Sequence, residues 1–151
     1  MAMASVNGLQ LYYEDHGTGH PLVLLHGGLH TIVLSFGALL PRLVASHRVI
    51  AVELQGHGHT PDTDRVPTYS DLADDVVALL DHVGVERADV FGFSLGGQVA
   101  VELGLRHPNR VDRLVLAAAI YHRDGYHDVT DPTSVRLPTP AEFAIYEARP
   151  V

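Results

Sequence analysis

Gly92-Phe93-Ser94-Leu95-Gly96 places a hydroxyl between two glycines, one two residues before it and one two residues after. The segment follows a short apolar run, Asp89-Val90-Phe91-Gly92-Phe93, and leads into a helix-like stretch from Gln98 to Arg106. A Ser on a sharp strand-to-helix turn stands clear of the backbone, and small flanking residues leave room for that turn. The following helix aims its first N–H groups at the same spot and favours negative charge there. Such a Ser can attack an acyl carbon once a base takes its proton. A second group of small residues, His26-Gly27-Gly28, ends the apolar run Pro21 to Leu25. Parallel strands bring their C-terminal ends to one sheet edge. There the N–H groups of Gly28 and Leu95 can together receive the oxygen of a tetrahedral intermediate. Gly27-Gly28 alone would also serve as a plain chain reversal; beside Ser94 the oxyanion role is the stronger reading.

Several elements must position these groups. Asn7-Gly8 is a hairpin turn, with Leu9, Leu11 and Tyr13 alternating after it. Pro21–Leu25, Arg48–Leu54, Asp89–Phe93 and Arg113–Ala119 are continuous apolar runs, the mark of strands buried on both faces. Between the first two, Phe36, Leu39, Leu40, Leu43 and Val44 have helical spacing, with Pro41 as a break or kink. Thr68 caps a helix whose apolar stripe is Leu72, Val76, Leu79, Leu80 and Val83, and Gly84 ends it. Asp71, Asp74 and Asp75 in its first turns read as a solvated helix start. Strands alternating with helices predict an α/β fold with a doubly wound, mainly parallel sheet. After Ile120 the chain turns polar and Pro-containing, with one helix expected from Ala141 to Ala148. The expected division is a core over 1–120 and a separate segment over 121–151.

Composition narrows the function. Ten Lys+Arg against 18 Asp+Glu give a net charge of −8, which disfavours nucleic acid and anionic membranes as partners. No apolar run approaches membrane-spanning length, and the N-terminus lacks the pattern of a secretory leader, so the cytoplasm is the default compartment. The absence of Cys removes disulfides and thiolate chemistry. Eleven His residues raise the question of a metal. His57-x-His59 with His26 and His30 would gather at one sheet edge, but no recognised metal-ligand spacing accompanies them, so no metal is expected. Glu53 reads as a capping carboxylate at a strand end. No G-x-G-x-x-G follows a strand, and no cofactor is implied.

The Asn7-Gly8 hairpin, His26-Gly27-Gly28, Gln55-Gly56-His57-Gly58-His59 and Gly92-Phe93-Ser94-Leu95-Gly96-Gly97 occur in the order and at the spacing of the α/β-hydrolase fold superfamily. Over residues 5 to 125 the chain resembles its smaller esterase, enol-lactonase and carbon–carbon-bond hydrolase branches. The resemblance implies Ser94 as nucleophile and Gly28 and Leu95 as oxyanion donors. A Ser at 94 disfavours the haloalkane dehalogenase and epoxide hydrolase branches, which carry Asp there. It also implies His26 as a structural histidine under the oxyanion loop and His57 as the histidine of the loop after the second buried strand.

The sequence departs from the family in the partners of the nucleophile. The family triad runs Ser, then Asp or Glu, then His. Here the chain stops at Val151, within what resembles the start of a cap, so the fold is expected to be truncated after about the sixth strand. Asp124 stands where a few family members place the acid, and His122 and His127 lie in the cap-like region; none matches the usual triad position. The expectation is a serine hydrolase of carboxylic esters or lactones whose triad Asp and His come from a second polypeptide, a second copy or a missing C-terminal part. The alternative is a non-catalytic half-hydrolase that binds small molecules or proteins. Leu29, Phe93, Leu95 and Ile120 are the apolar residues placed to line a substrate pocket.

Overall fold

Asn7 and Gly8 both adopt positive φ, 47° and 80°, and turn β1 (Ala2–Val6) back onto β2 (Leu9–His16) in antiparallel register. This pair opens the computed structural model, which describes residues 2–119. The other strands are β3 (His20–Leu25), β4 (His47–Val52), β5 (Ala88–Phe93) and β6 (Val111–Ala117). They form one sheet of order β1-β2-β4-β3-β5-β6. β2 meets β4 antiparallel; β4, β3, β5 and β6 run parallel. The fold is a mixed α/β sheet, mainly parallel, as the alternation of strands and helices requires.

The strand order places the site. From β3 the chain moves outward to β4, then returns across β3 to β5 and continues to β6 on the other side. The order therefore reverses between β3 and β5, and a crevice opens beyond the C-terminal ends of such a strand pair. The loop at His26 and the turn at Ser94 are the two segments that leave those ends.

Both faces of β3, β4 and β5 are covered, which explains their continuous apolar runs; β6, expected from its sequence to be buried on both faces, is instead exposed along most of its length among the described residues, because it has a neighbour on one side only. Val23, Leu25, Ile50, Val52 and Val90 pack with Leu72, Val76, Leu79, Val99 and Leu103. Those partners come from α3 (Tyr69–His82) and α4 (Leu95–Arg106). Leu22, Leu24, Val49 and Ala51 pack on the opposite face with Ile32 and Phe36. Ile32 and Phe36 belong to α1 (Ile32–Phe36), which is followed by α2 (Leu40–Leu43). Pro41 lies in the first turn of α2, so the single helical stripe expected over 36–44 is two short helices. Each fully buried Leu or Val contributes about 1.5–3 kcal/mol.

Thr68 caps α3 by a reciprocal box: its hydroxyl accepts from the Asp71 N–H at 3.1 Å, and the Asp71 carboxylate accepts from the Thr68 N–H at 2.8 Å. Asp75 departs from the solvated reading. It is 1% exposed and takes an ion pair from Arg65 at 2.6 Å. α4 starts at Leu95 rather than Gln98, because the turn at Ser94 is tight enough for the helix to begin at once.

Among the described residues β6 pairs only with β5, and Leu114, Val115 and Leu116 are 38%, 52% and 41% exposed. No helix among the described residues is long and apolar enough to cross a membrane. The segment 121–151, with the helix expected over 141–148 and with Asp124, His122 and His127, lies outside the described residues; so does Ile120.

Candidate active site

Ser94 joins β5 to α4 with φ 51° and ψ −112°, a conformation that side-chain-bearing residues rarely adopt. It is held there from both directions. Its N–H donates to the Ala117 carbonyl at 2.8 Å, and its own carbonyl accepts from the N–H groups of Gly97 (2.9 Å) and Gln98 (3.2 Å). Its hydroxyl does not cap the helix it precedes. A non-Gly residue in this region costs about 1–3 kcal/mol, which the surrounding packing must offset.

The glycines around Ser94 are steric necessities. A Cβ on Gly92 would collide with the carbonyl of Gly96, and one on Gly96 would collide with the carbonyls of Leu25 and His26. A Cβ on Gly27 would come within 2.9 Å of the Phe93 ring. These contacts lock the turn against the end of β3, and the Gly96 N–H donates to the His26 carbonyl at 3.0 Å.

That lock brings the predicted donor residues together. A Cβ on Gly28 would sit 3.8 Å from the Cβ of Leu95, at ordinary contact distance. The N–H groups beside them are used structurally: Gly27 donates to the Ser35 hydroxyl at 3.3 Å, Gly96 to His26. The Gly28 N–H enters no hydrogen bond among the described residues. Leu95 is the first residue of α4, where an N–H has no intrahelical carbonyl to meet. Phe93 is half-buried, with its ring 5.9 Å from that of His30. Leu29 follows with φ 60° and is 95% exposed.

His26 lies fully buried beneath this loop. Its Nε2 accepts from the Leu54 N–H at 3.0 Å, so its proton sits on Nδ1, which donates to the Gly27 carbonyl at 2.8 Å. Burial pushes its pKa below the usual 6.5; the Gly27 carbonyl opposes the shift without cancelling it. His26 is thus a neutral strut tying the end of β3 to the chain after β4.

His57, His59 and His30 are also engaged. His57 Nδ1 donates to the Gln55 carbonyl at 2.9 Å, and the ring stands 4.9 Å from that of His26. His59 stacks on Tyr12 at 4.4 Å and binds buried Glu53 through Nδ1 at 2.9 Å. Glu53 also accepts from the His59 N–H at 2.6 Å, as a carboxylate that organises its loop. His30 Nδ1 meets the Ser35 hydroxyl at 3.1 Å. These four imidazoles do not converge on one point as metal ligands. Among the described residues no hydrogen bond joins the Ser94 hydroxyl to an imidazole or a carboxylate.

Sequence reasoning missed the network behind the loop after β4. Gln55, 4% exposed, donates to Asp62 (2.9 Å), Thr63 (3.0 Å) and the Arg65 carbonyl (2.9 Å), and accepts from the Arg65 guanidinium (2.6 Å). Arg65 reaches on to Asp75, which also accepts from Asn7 at 3.0 Å. A Gln directly before Gly56-His57-Gly58 was the available signal, since a buried amide in a loop requires partners.

Comparison with known proteins agrees with this geometry. The family model for the alpha/beta hydrolase fold matches residues 20–144. The 2-hydroxymuconate semialdehyde hydrolase of Pseudomonas sp. (strain CF600) is 36% identical over 112 residues, 72% of this chain and 40% of that protein. The solved enol-lactonase of Burkholderia xenovorans LB400 superposes with a TM-score of 0.73 at 30% identity, over 76% of this chain and 45% of that one. A solved N-acyl homoserine lactone degrading enzyme gives a TM-score of 0.68 at 34% identity, over 73% and 42%. The chain spans less than half the length of these relatives. With a strained Ser between β5 and α4, a glycine loop against it and a family match across most of its length, the chain belongs to the α/β-hydrolase fold family.

Proposed function

We propose that Ser94 is the nucleophile of a hydrolase acting on small carboxylic esters or lactones. The observation that carries this is the backbone of Ser94, φ 51° in a residue with a side chain, held beside Gly28 and Leu95. Strain of this kind persists where function requires it. In the proposed reaction Ser94 Oγ attacks the acyl carbon while its proton passes to a base. The carbonyl oxygen becomes an oxyanion that accepts from the Gly28 and Leu95 N–H groups. Collapse expels the alkoxide, which takes the proton; water then attacks the acyl-enzyme by the same route and releases the acid.

The base and the orienting acid are proposed to come from outside residues 2–119. None of the described imidazoles bonds to Ser94, and the relatives are more than twice as long as the part matched here. A longer form of this chain, a second polypeptide or a second copy would each supply them, and β6, which pairs only with β5 among the described residues, gives such an addition a strand to pair with. The enol-lactonase and the lactone-degrading enzyme among the similar solved structures favour an ester or lactone substrate.

The test is hydrolysis of a p-nitrophenyl short-chain ester and of a lactone by the purified assembly, with Ser94→Ala as comparison. Loss of turnover in the variant supports the reading. Turnover that survives Ser94→Ala, or none in the wild-type assembly, overturns it, the second outcome leaving a binding module. Intact mass and light scattering on the same sample identify which source completes the fold.

A further inference from the structure

β3, β5 and β6 are adjacent and parallel, so their first residues meet at the sheet edge opposite Ser94. His20 begins β3, and Asp89 and Asp112 are the second residues of β5 and β6. An irregularity in the β5–β6 register between Ala88 and Val90 lies at this point. His20 Nε2 lies 3.4 Å from Asp89 Oδ1 and 3.6 Å from Asp112 Oδ2, and one ligand atom from each residue falls within 4.8 Å of the others.

The contacts of the two carboxylates divide by oxygen. Arg87 Nε bonds the outer Oδ1 of Asp112 at 2.6 Å, and Arg113 Nη1 stands 3.9 Å from the outer Oδ2 of Asp89. The inner Oδ1 of Asp89 is shielded from water and has no hydrogen-bond partner; its one near cation is the His20 imidazole at 3.4 Å, and the Asp89 side chain is 12% exposed. A buried carboxylate oxygen without a donor is rare and requires an explanation. The distances point to one. At 3.4 and 3.6 Å the His20–carboxylate contacts are long for charge-assisted hydrogen bonds, which run at about 2.7–2.9 Å. They match the ligand-to-ligand edge of a tetrahedral ion, about 3.4 Å for bonds of about 2.1 Å.

We propose that His20, Asp89 and Asp112 bind one divalent transition-metal ion of the Zn2+ type. An imidazole and two carboxylates suit such an ion, and the fourth position faces solvent, since the His20 side chain is 48% exposed. The ion clips the starts of β3, β5 and β6 together. It sits about 16 Å of strand away from Ser94, five residues on from Asp89 in β5, and so takes no part in acyl transfer. Nothing in the sequence pattern marks it, because its ligands are separated by 69 and 23 positions and meet only through strand order.

The test uses the full chain after dialysis against a chelator. Zn2+ is titrated by calorimetry, and Co2+ by visible absorption, which reports a tetrahedral site directly. The expected result is one saturable ion per chain, weakened roughly tenfold or more in His20→Ala and in Asp112→Asn and unchanged in His82→Ala. Both altered side chains are partly exposed, so the variants keep the fold. A rise in Tm on adding Zn2+ to the wild type, absent in both variants, reads the same site independently. Absence of saturable binding, or binding to either variant as tight as to the wild type, overturns the proposal and leaves His20 a bridge between two carboxylates.

Discussion

The Gly96 N–H donates to the His26 carbonyl at 3.0 Å, and this bond joins the start of α4 to the loop after β3. It fixes the nucleophile turn and the glycine loop as one rigid unit, so the geometry around Ser94 depends on how closely two backbones approach. The Cα of Gly96 faces the carbonyls of Leu25 and His26 with no space for a methyl group. Catalytic geometry of this kind tolerates little displacement.

Gly96→Ala is therefore expected to destabilise the protein by about 3 kcal/mol, at the upper end of overpacking costs, because the obstructing atoms are backbone. Gly28→Ala, whose Cβ meets Leu95 at 3.8 Å, is expected to change stability by no more than about 0.5 kcal/mol. Urea midpoints of the two variants measure the contrast. Equal midpoints would remove the steric account of Gly96.

Ser94→Gly separates strain from chemistry. Glycine accepts φ 51° without penalty but loses more entropy on folding than Ser. With strain of about 1–3 kcal/mol relieved, the variant is expected to be more stable by about 1 kcal/mol, while the proposed hydrolysis disappears. A fall in Tm for Ser94→Gly would count against a strained native turn.

Much of this arrangement was legible because its signals are local. Asn7-Gly8, the Thr68–Asp71 box and the buried runs each depend on neighbours within a few residues, and alternation of strands with helices then places Gly28 near Leu95. The rest depends on contacts between distant positions. Asp75 looks like one more acidic residue near a helix start until Arg65 and Asn7 close over it. The partners of Glu53 and Gln55 follow from how one loop folds back on itself, which residue spacing does not encode.

His26 predicts a pH dependence whose direction follows from its tautomer. Its neutral form is required by the Leu54 N–H and favoured by burial, so the folded pKa lies below 6.5. Below about pH 6.5 the unfolded chain takes up a proton at this residue that the folded chain resists. The stabilisation is thus complete above about pH 6.5 and is lost as pH falls. Urea midpoints should drop between pH 7 and pH 5, and His26→Gln should flatten that part of the profile while lowering stability by about 2 kcal/mol. A midpoint that rises on acidification through this range would contradict the neutral strut.

The Arg65–Asp75 pair should respond unequally to truncation from its two ends. Its side chains are 31% and 2% exposed. Asp75→Ala leaves a guanidinium that water can still reach and that keeps its bonds to Gln55. Arg65→Ala leaves a carboxylate buried against α3 with Asn7 as its remaining donor, and it also strips the Gln55 carbonyl of its partner. Removing one member of a buried pair costs about 3–5 kcal/mol when the survivor stays buried, and less when the survivor is solvated. Arg65→Ala is therefore expected to cost about 3 kcal/mol and Asp75→Ala about half of that, measured as changes in denaturation midpoint at pH 7. The double variant should be less destabilised than the sum of the two, since residues in contact couple. Equal single-variant losses that add without coupling would show that the two side chains act independently.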